Sequence, residues 1–192
     1  MKFASVSHQI TRLAVIALVV TGFASLASAQ ALNSGASPIA ITATLGESLT
    51  LNLSAAAVSF PLVAGSNANA GSTTITATTA WVLKPGRTAV GLYAYFGSAA
   101  AALTDGSGDN IPSSAFKIST ATLASTGLTA ATPFNAALSG LQLANVAITA
   151  TNRAANRSDV MTFNIDLSTG TLPQLPAAAY TGTLNIQAQA TP

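Results

Sequence analysis

The chain has 192 residues and no cysteine, so it is long enough to bury one core and has no disulfide to staple it. Only 6% of its residues are charged and 49% are apolar, which excludes a disordered chain, since such chains are poor in apolar residues and rich in charge. Lys2 and Arg12 supply the formal net charge of +2, and beyond them Lys84, Arg87, Lys117, Arg153 and Arg157 balance Glu47, Asp105, Asp109, Asp159 and Asp166. Nothing therefore steers that part of the chain toward nucleic acid or anionic lipid.

Residues 1–29 read as a cleavable export signal. Lys2 and Arg12 precede the apolar run Leu13 to Ala24, which is short for a bilayer span. Ala27-Ser28-Ala29 then offers small side chains at alternate positions, as a signal peptidase requires. Cleavage before Gln30 leaves residues 30–192 as a single domain acting in the periplasm, at the cell surface or outside the cell, with no membrane span. No cysteine follows the apolar run, so a bacterial lipoprotein anchor is excluded.

From Gln30 onward the dominant period is two, the signature of strands with one wet face. Strands are expected over Ile39 to Leu45, Leu49 to Leu53, Thr73 to Leu83, Thr88 to Phe96, Phe116 to Leu123, Leu141 to Thr149, Met161 to Leu167 and Tyr180 to Ala188. Lys84-Pro85-Gly86-Arg87 suits a type II turn, so Thr73 to Phe96 reads as a hairpin. Ala64 to Gly71, Thr104 to Pro112, Asn152 to Ser158 and Ser168 to Pro176 read as loops, and Ala99 to Leu103 as at most one helical turn. About eight antiparallel strands predict an all-β fold of two stacked sheets, an immunoglobulin-like or jelly-roll sandwich. Trp81 is expected in its core.

The only histidine, His8, falls in the export signal, so the remainder has neither imidazole nor thiol. That removes Ser-His-Asp and Cys-His chemistry and the usual zinc and copper sites. Asp159 and Asp166 differ in strand parity and point to opposite faces, which argues against a paired-carboxylate site. No enzyme and no cofactor are expected. Asp105, Ser107 and Asp109 of the Gly-rich stretch 105–110 place oxygens at alternate positions, as a calcium loop does. The same stretch also reads as a polar turn in which Asp side chains accept backbone amides.

Tyr93 and Tyr95 share one face of their strand. They fit either stacking on sugar rings or packing beneath a loop. With the loop Thr104 to Pro112 they define the alternative reading, an extracellular carbohydrate- or cell-wall-binding module whose partner is a polysaccharide. Asn52-Leu53-Ser54 and Asn156-Arg157-Ser158 match glycosylation acceptors. Neither Thr73 to Leu83 nor Tyr180 to Thr191 carries a charge. Whichever lies at a sheet edge offers an unguarded ladder for a second copy or another exported subunit.

Leu175-Pro176-Ala177-Ala178-Ala179-Tyr180-Thr181-Gly182-Thr183-Leu184-Asn185-Ile186 resembles the closing strand of spore coat protein U and of chaperone-usher fimbrial subunits, with Ala178 where those families carry Gly. The resemblance implies an exported surface protein with an incomplete immunoglobulin-like sandwich, completed by a strand from another chain. A second similarity, through Trp81-Val82-Leu83 and Tyr180 to Leu184, is to WxL cell-wall-binding domains. The donor strand implied by the first resemblance is Ile39, Ile41, Ala43 and Leu45, which alternate on one side of an extended segment. That segment also reads as the first strand of the chain's own sandwich, with Gly46 allowing a turn back. The expected function is a secreted, non-enzymatic structural or adhesive surface protein, assembling by strand addition.

Overall fold

In the computed structural model, which describes residues 34–192, alternation of residue type becomes alternation of burial. The export signal expected over residues 1–29 lies outside the described residues. The strands are β1 (Ser48–Leu53), β2 (Asn69–Ala70), β3 (Ile75–Val82), β4 (Ala89–Tyr95), β5 (Leu103–Thr104), β6 (Asn110–Ile111), β7 (Phe116–Ser119), β8 (Thr126–Gly127), β9 (Ala130–Thr132), β10 (Asn135–Ala147), β11 (Ala154–Ile165) and β12 (Asn185–Thr191). A 3₁₀ turn at Leu172–Gln174 is the one helical element among the described residues.

The fold is all-β and sandwich-like. One sheet runs β1-β3-β11-β7-β8, with β2 also paired to β11; a second runs β12-β4-β10-β9; β5 and β6 form a small third. All pairings are antiparallel. On β3 the buried side chains are Ile75, Ala77, Thr79 and Trp81, and on β11 they are Asp159, Met161, Phe163 and Ile165. From the second sheet Leu92, Ala94 and Leu143 join the same core, which Phe96 and Phe116 tie together edge to face at 5.1 Å. Trp81, Leu83 and Val90 form a second cluster. Trp81 is 4% exposed and donates its indole N–H to the Asn152 carbonyl at 2.9 Å, which satisfies its one polar atom.

A polar row divides the two clusters on the first sheet. Thr79 sits opposite Arg157 in register, between Ala77 and Trp81 on its own strand. Asp159 is buried beside Ala77 and receives Arg157 Nε on both carboxylate oxygens at 2.9 Å. Pairing and hydrogen bonding make that burial tolerable, and this contact raises the Arg157 pKa. Thr79 Oγ1 is buried without a hydrogen-bond partner among the described residues.

Several expected elements differ. Ile39 to Leu45 forms no strand, and Ile39, Ile41 and Leu45 are 84%, 87% and 85% exposed. The segment makes no ladder hydrogen bonds to hold it extended, so it is not the first strand of its own sandwich. Thr73 to Phe96 is not a hairpin. The Pro85-Gly86 turn has Gly86 at φ 99°, as a type II turn needs, yet it carries the chain from one sheet to the other. β3 takes β1 and β11 as ladder neighbours instead, and meets β4 only across the core, where Trp81 and Val90 share one cluster.

Asn152 to Ser158 is largely strand, because Ala154 to Ser158 continues the β11–β3 ladder as far as Val82. Ala99 to Leu103 contains no helical turn, since Ala102 and Leu103 are drawn into pairing with Ile111. Strand structure over Phe116 to Leu123 stops at Ser119, where Thr120 Oγ1 accepts the Leu123 amide in a turn. The last strand begins at Asn185 rather than Tyr180. β3 is a central strand, so of the two uncharged segments only β12 lies at an edge.

Candidate functional site

β1 and β12 are edge strands of the two main sheets and approach one another along a seam. The two ends of this seam differ. At one end Glu47, just before β1, accepts the Lys84 amide and Arg87 Nε on Oε1, both at 3.1 Å, and Arg87 Nη2 on Oε2 at 3.3 Å. Arg87 Nη1 reaches across to the Ala190 carbonyl on β12 at 3.4 Å, so one guanidinium ties both edges. The Arg87 hydrogen bond, then the Lys84 amide, bring the Glu47 pKa down to about 2.

At the other end the seam opens into two adjoining cavities of about 710 and 300 Å³, lined mainly by apolar residues with polar groups at the rim. Val58, Phe60, Leu62, Leu167, Leu172 and Tyr180 are among the residues that line the larger. The smaller lies over core residues Ile75, Phe96, Met161 and Phe163, beside Leu184 and Ile186. Volumes of this order in mainly apolar walls are those of ligand or peptide clefts.

The segment resembling a fimbrial closing strand forms the rim of the larger cavity. Thr181 exchanges amide and carbonyl with Thr104, each at 2.9 Å, and the Tyr180 hydroxyl donates to the Pro176 carbonyl at 3.0 Å. Gly182 is required there, because a side chain would run into the Ala102 carbonyl. Burial, then the nearby carboxylates of Asp109 and Asp105, push the Tyr180 pKa up.

The Thr104–Thr181 pairing places the loop Thr104 to Pro112 at the cavity rim, and none of its hydrogen bonds reaches Tyr93 or Tyr95. Within the loop Asp105 Oδ1 accepts the amides of Ser107, Gly108 and Asp109 at 2.8, 3.2 and 3.1 Å, a polar turn. Among the described residues no three His, Cys, Asp or Glu side chains converge as metal ligands. Asp159 and Asp166 are separately engaged: Asp159 with Arg157, Asp166 with Lys117 at 2.8 Å. The Lys117 ammonium, then the Ser168 hydroxyl and amide, lower the Asp166 pKa to about 2. Asn52 and Asn156 of the glycosylation tripeptides are both exposed.

Tyr93 and Tyr95 lie together on the outer face of the second sheet and are half-buried. Phe134 covers part of both, edge-on to Tyr93 at 5.8 Å and stacked on Tyr95 at 6.0 Å. Tyr95 donates to Gln187 Oε1 at 2.9 Å, and Tyr93 accepts from Gln142 Nε2 at 3.2 Å.

Sequence reasoning passed over Phe134, for which the turn signal Thr132-Pro133 was available. It also passed over the Arg87–Glu47 clasp, which joins residues forty positions apart. Val58, Phe60 and Leu62 alternate as a strand would, but Pro61 in their midst masked them. Compared with models of known protein families, with curated proteins and with solved structures, the chain matches none.

Proposed function

We propose that this chain is an exported, non-enzymatic structural subunit of a surface assembly, whose open seam receives an apolar strand from a second copy. One observation carries the reading. The chain has an uncharged free edge at β12 beside mainly apolar cavities, and it also has an exposed segment whose Ile39, Ile41 and Leu45 recur on one side when extended. An added strand would pair its backbone with β12 and seat alternate side chains in the cavities, which is how strand addition obtains affinity and specificity together. Covering about 85% exposed isoleucines removes a standing hydrophobic cost.

In sandwich type the plan is immunoglobulin-like in its two stacked antiparallel sheets, with β12 attached to β4 rather than to the penultimate long strand. Export through residues 1–29 and a place at the cell surface complete the reading, in keeping with the resemblance of residues 175–186 to fimbrial subunits.

The absence of native cysteine makes disulfide trapping clean. Ile41→Cys and Ala57→Cys variants, mixed under mild oxidation, should form a heterodimer that neither variant forms with an Asn145→Cys control on the outer face. Equal trapping with the control would contradict the reading.

A further inference from the structure

The outer face of the second sheet is remote in role from the seam, and its composition is distinctive. Gln142, Tyr93 and Gln187 stand in register across β10, β4 and β12. Gly140, Tyr95 and Asn185 form the row on one side of them, and Asn145, Gly91 and Gln189 the row on the other. None of these nine side chains is charged. Two of the nine are glycine, and Gly91 has a specific use. A Cβ there would lie 2.6 Å from Tyr93 Cε2 and 2.7 Å from its hydroxyl, so the tip of the Tyr93 ring rests over the Gly91 backbone. The Tyr93 ring stays partly exposed on this face, with Phe134 against it edge to face.

We infer that this face binds a neutral polysaccharide, with the Tyr93 ring as the stacking platform and the flanking amides as its hydrogen-bonding rails. The flat face of a pyranose presents C–H bonds that suit the negative face of an aromatic ring. Its hydroxyls both donate and accept, and amide side chains offer both functions without charge. Gln142 uses one amide hydrogen on the Tyr93 hydroxyl, which leaves its carbonyl oxygen to accept. Gln187 uses its oxygen on Tyr95, which leaves its amino group to donate. The two tyrosine hydroxyls thereby orient the two rails in opposite senses, one accepting and one donating, on either side of the platform. Phe134 buttresses both rings and fixes them before any ligand arrives, which lowers the ordering cost of binding. The uncharged face matches an uncharged glycan and gives no anchor to an acidic or a basic one.

Affinity electrophoresis of the full chain through gels containing hydroxyethyl cellulose, galactomannan or mixed-linkage β-glucan, beside gels containing polygalacturonate, tests the inference. At least one neutral polymer should retard the chain. Tyr93→Ala should weaken that retardation about tenfold or more, and Gln142→Ala with Gln187→Ala about fivefold or more, the loss of one or two net hydrogen bonds. Ile39→Asp should leave it unchanged, so failure of the strand-addition reading and failure of this one are told apart. No retardation by any of the three neutral polymers, retardation by polygalacturonate alone, or retardation that survives these platform and amide variants would overturn it. If Tyr93→Ala does not fold, the exposed amide pair decides the matter by itself.

Discussion

The two ends of the β1–β12 seam are built from the same edge strands, yet one is sealed by Arg87 except for a shallow surface groove of about 300 Å³ beside Leu49 and Ala190, and the other opens toward the core. At the sealed end β1 keeps register with β3 from Ser48 to Leu53, and Trp81, Leu83 and Val90 fill the space behind it with Leu49, Val146 and Ile148. Arg87 then ties the edges across the top. At the open end the chain leaves β3 after Ser54, and Ala55, Ala56 and Ala57 line the smaller cavity while Ala177, Ala178 and Ala179 line the larger. Two sheets in correct pairing do not by themselves close a sandwich. Closure needs side-chain volume at the edge, and the run of three alanines along each cavity supplies little of it.

The largest expected effect is at the sealed end. Trp81→Ala should cost about 3–5 kcal/mol in urea unfolding, since it leaves a cavity and orphans the Asn152 carbonyl. Phe60→Ala at the open end should cost less than half as much, because Phe60 already borders empty volume. Equal losses would erase the distinction between the two ends. Gly182→Ala should cost about 1–3 kcal/mol, because the new methyl meets the Ala102 backbone rather than a side chain able to move.

Thr79→Val, in the polar row between the clusters, should stabilise by about 1 kcal/mol by removing a buried hydroxyl that lacks a partner. A loss of stability there would show that the hydroxyl is satisfied in solution. The smallest effect concerns acid. Glu47 and Asp166 have folded pKa values of about 2, below their ordinary 4.5 and 3.8, so each favours the folded state above its ordinary value. That contribution should fade as pH falls from about 4.5 toward 2, and in thermal melts Glu47→Gln should flatten part of the decline. A variant that melts with the unaltered pH profile would remove the clasp from the account of the sealed end.

The strands were legible where alternation was strong and the residues lay in the middle of an element, as in β1, β3, β4 and β11 beyond Met161. The class of fold followed from them. What local pattern does not encode is which strand becomes a neighbour. The Pro85-Gly86 turn has the same residues whether it closes a hairpin or arches between sheets, and long-range burial of Trp81 and Val90 decides it. The first half of β11 was hidden because Asn152-Arg153-Ala154-Ala155-Asn156-Arg157 is polar, and only the pairing with β3 makes it a strand. Of the candidate sites, the outward placement of Tyr93 and Tyr95 was readable from parity, whereas Phe134 and the amide rails come from other strands. The seam was foreseen only as an undefended edge. Its cavities depend on Val58, Phe60 and Leu62, which flank a proline that interrupts any strand pattern.

The most direct test of the open seam is light scattering on Gln30 to Pro192 across a range of concentrations, beside Ile39→Asp/Ile41→Asp in the same chain. The unaltered chain should form concentration-dependent oligomers, and the variant should be a monomer with the same melting temperature, since Ile39 and Ile41 are almost fully exposed. A monomer at every concentration, or oligomers that persist in the variant, would contradict assembly through the seam.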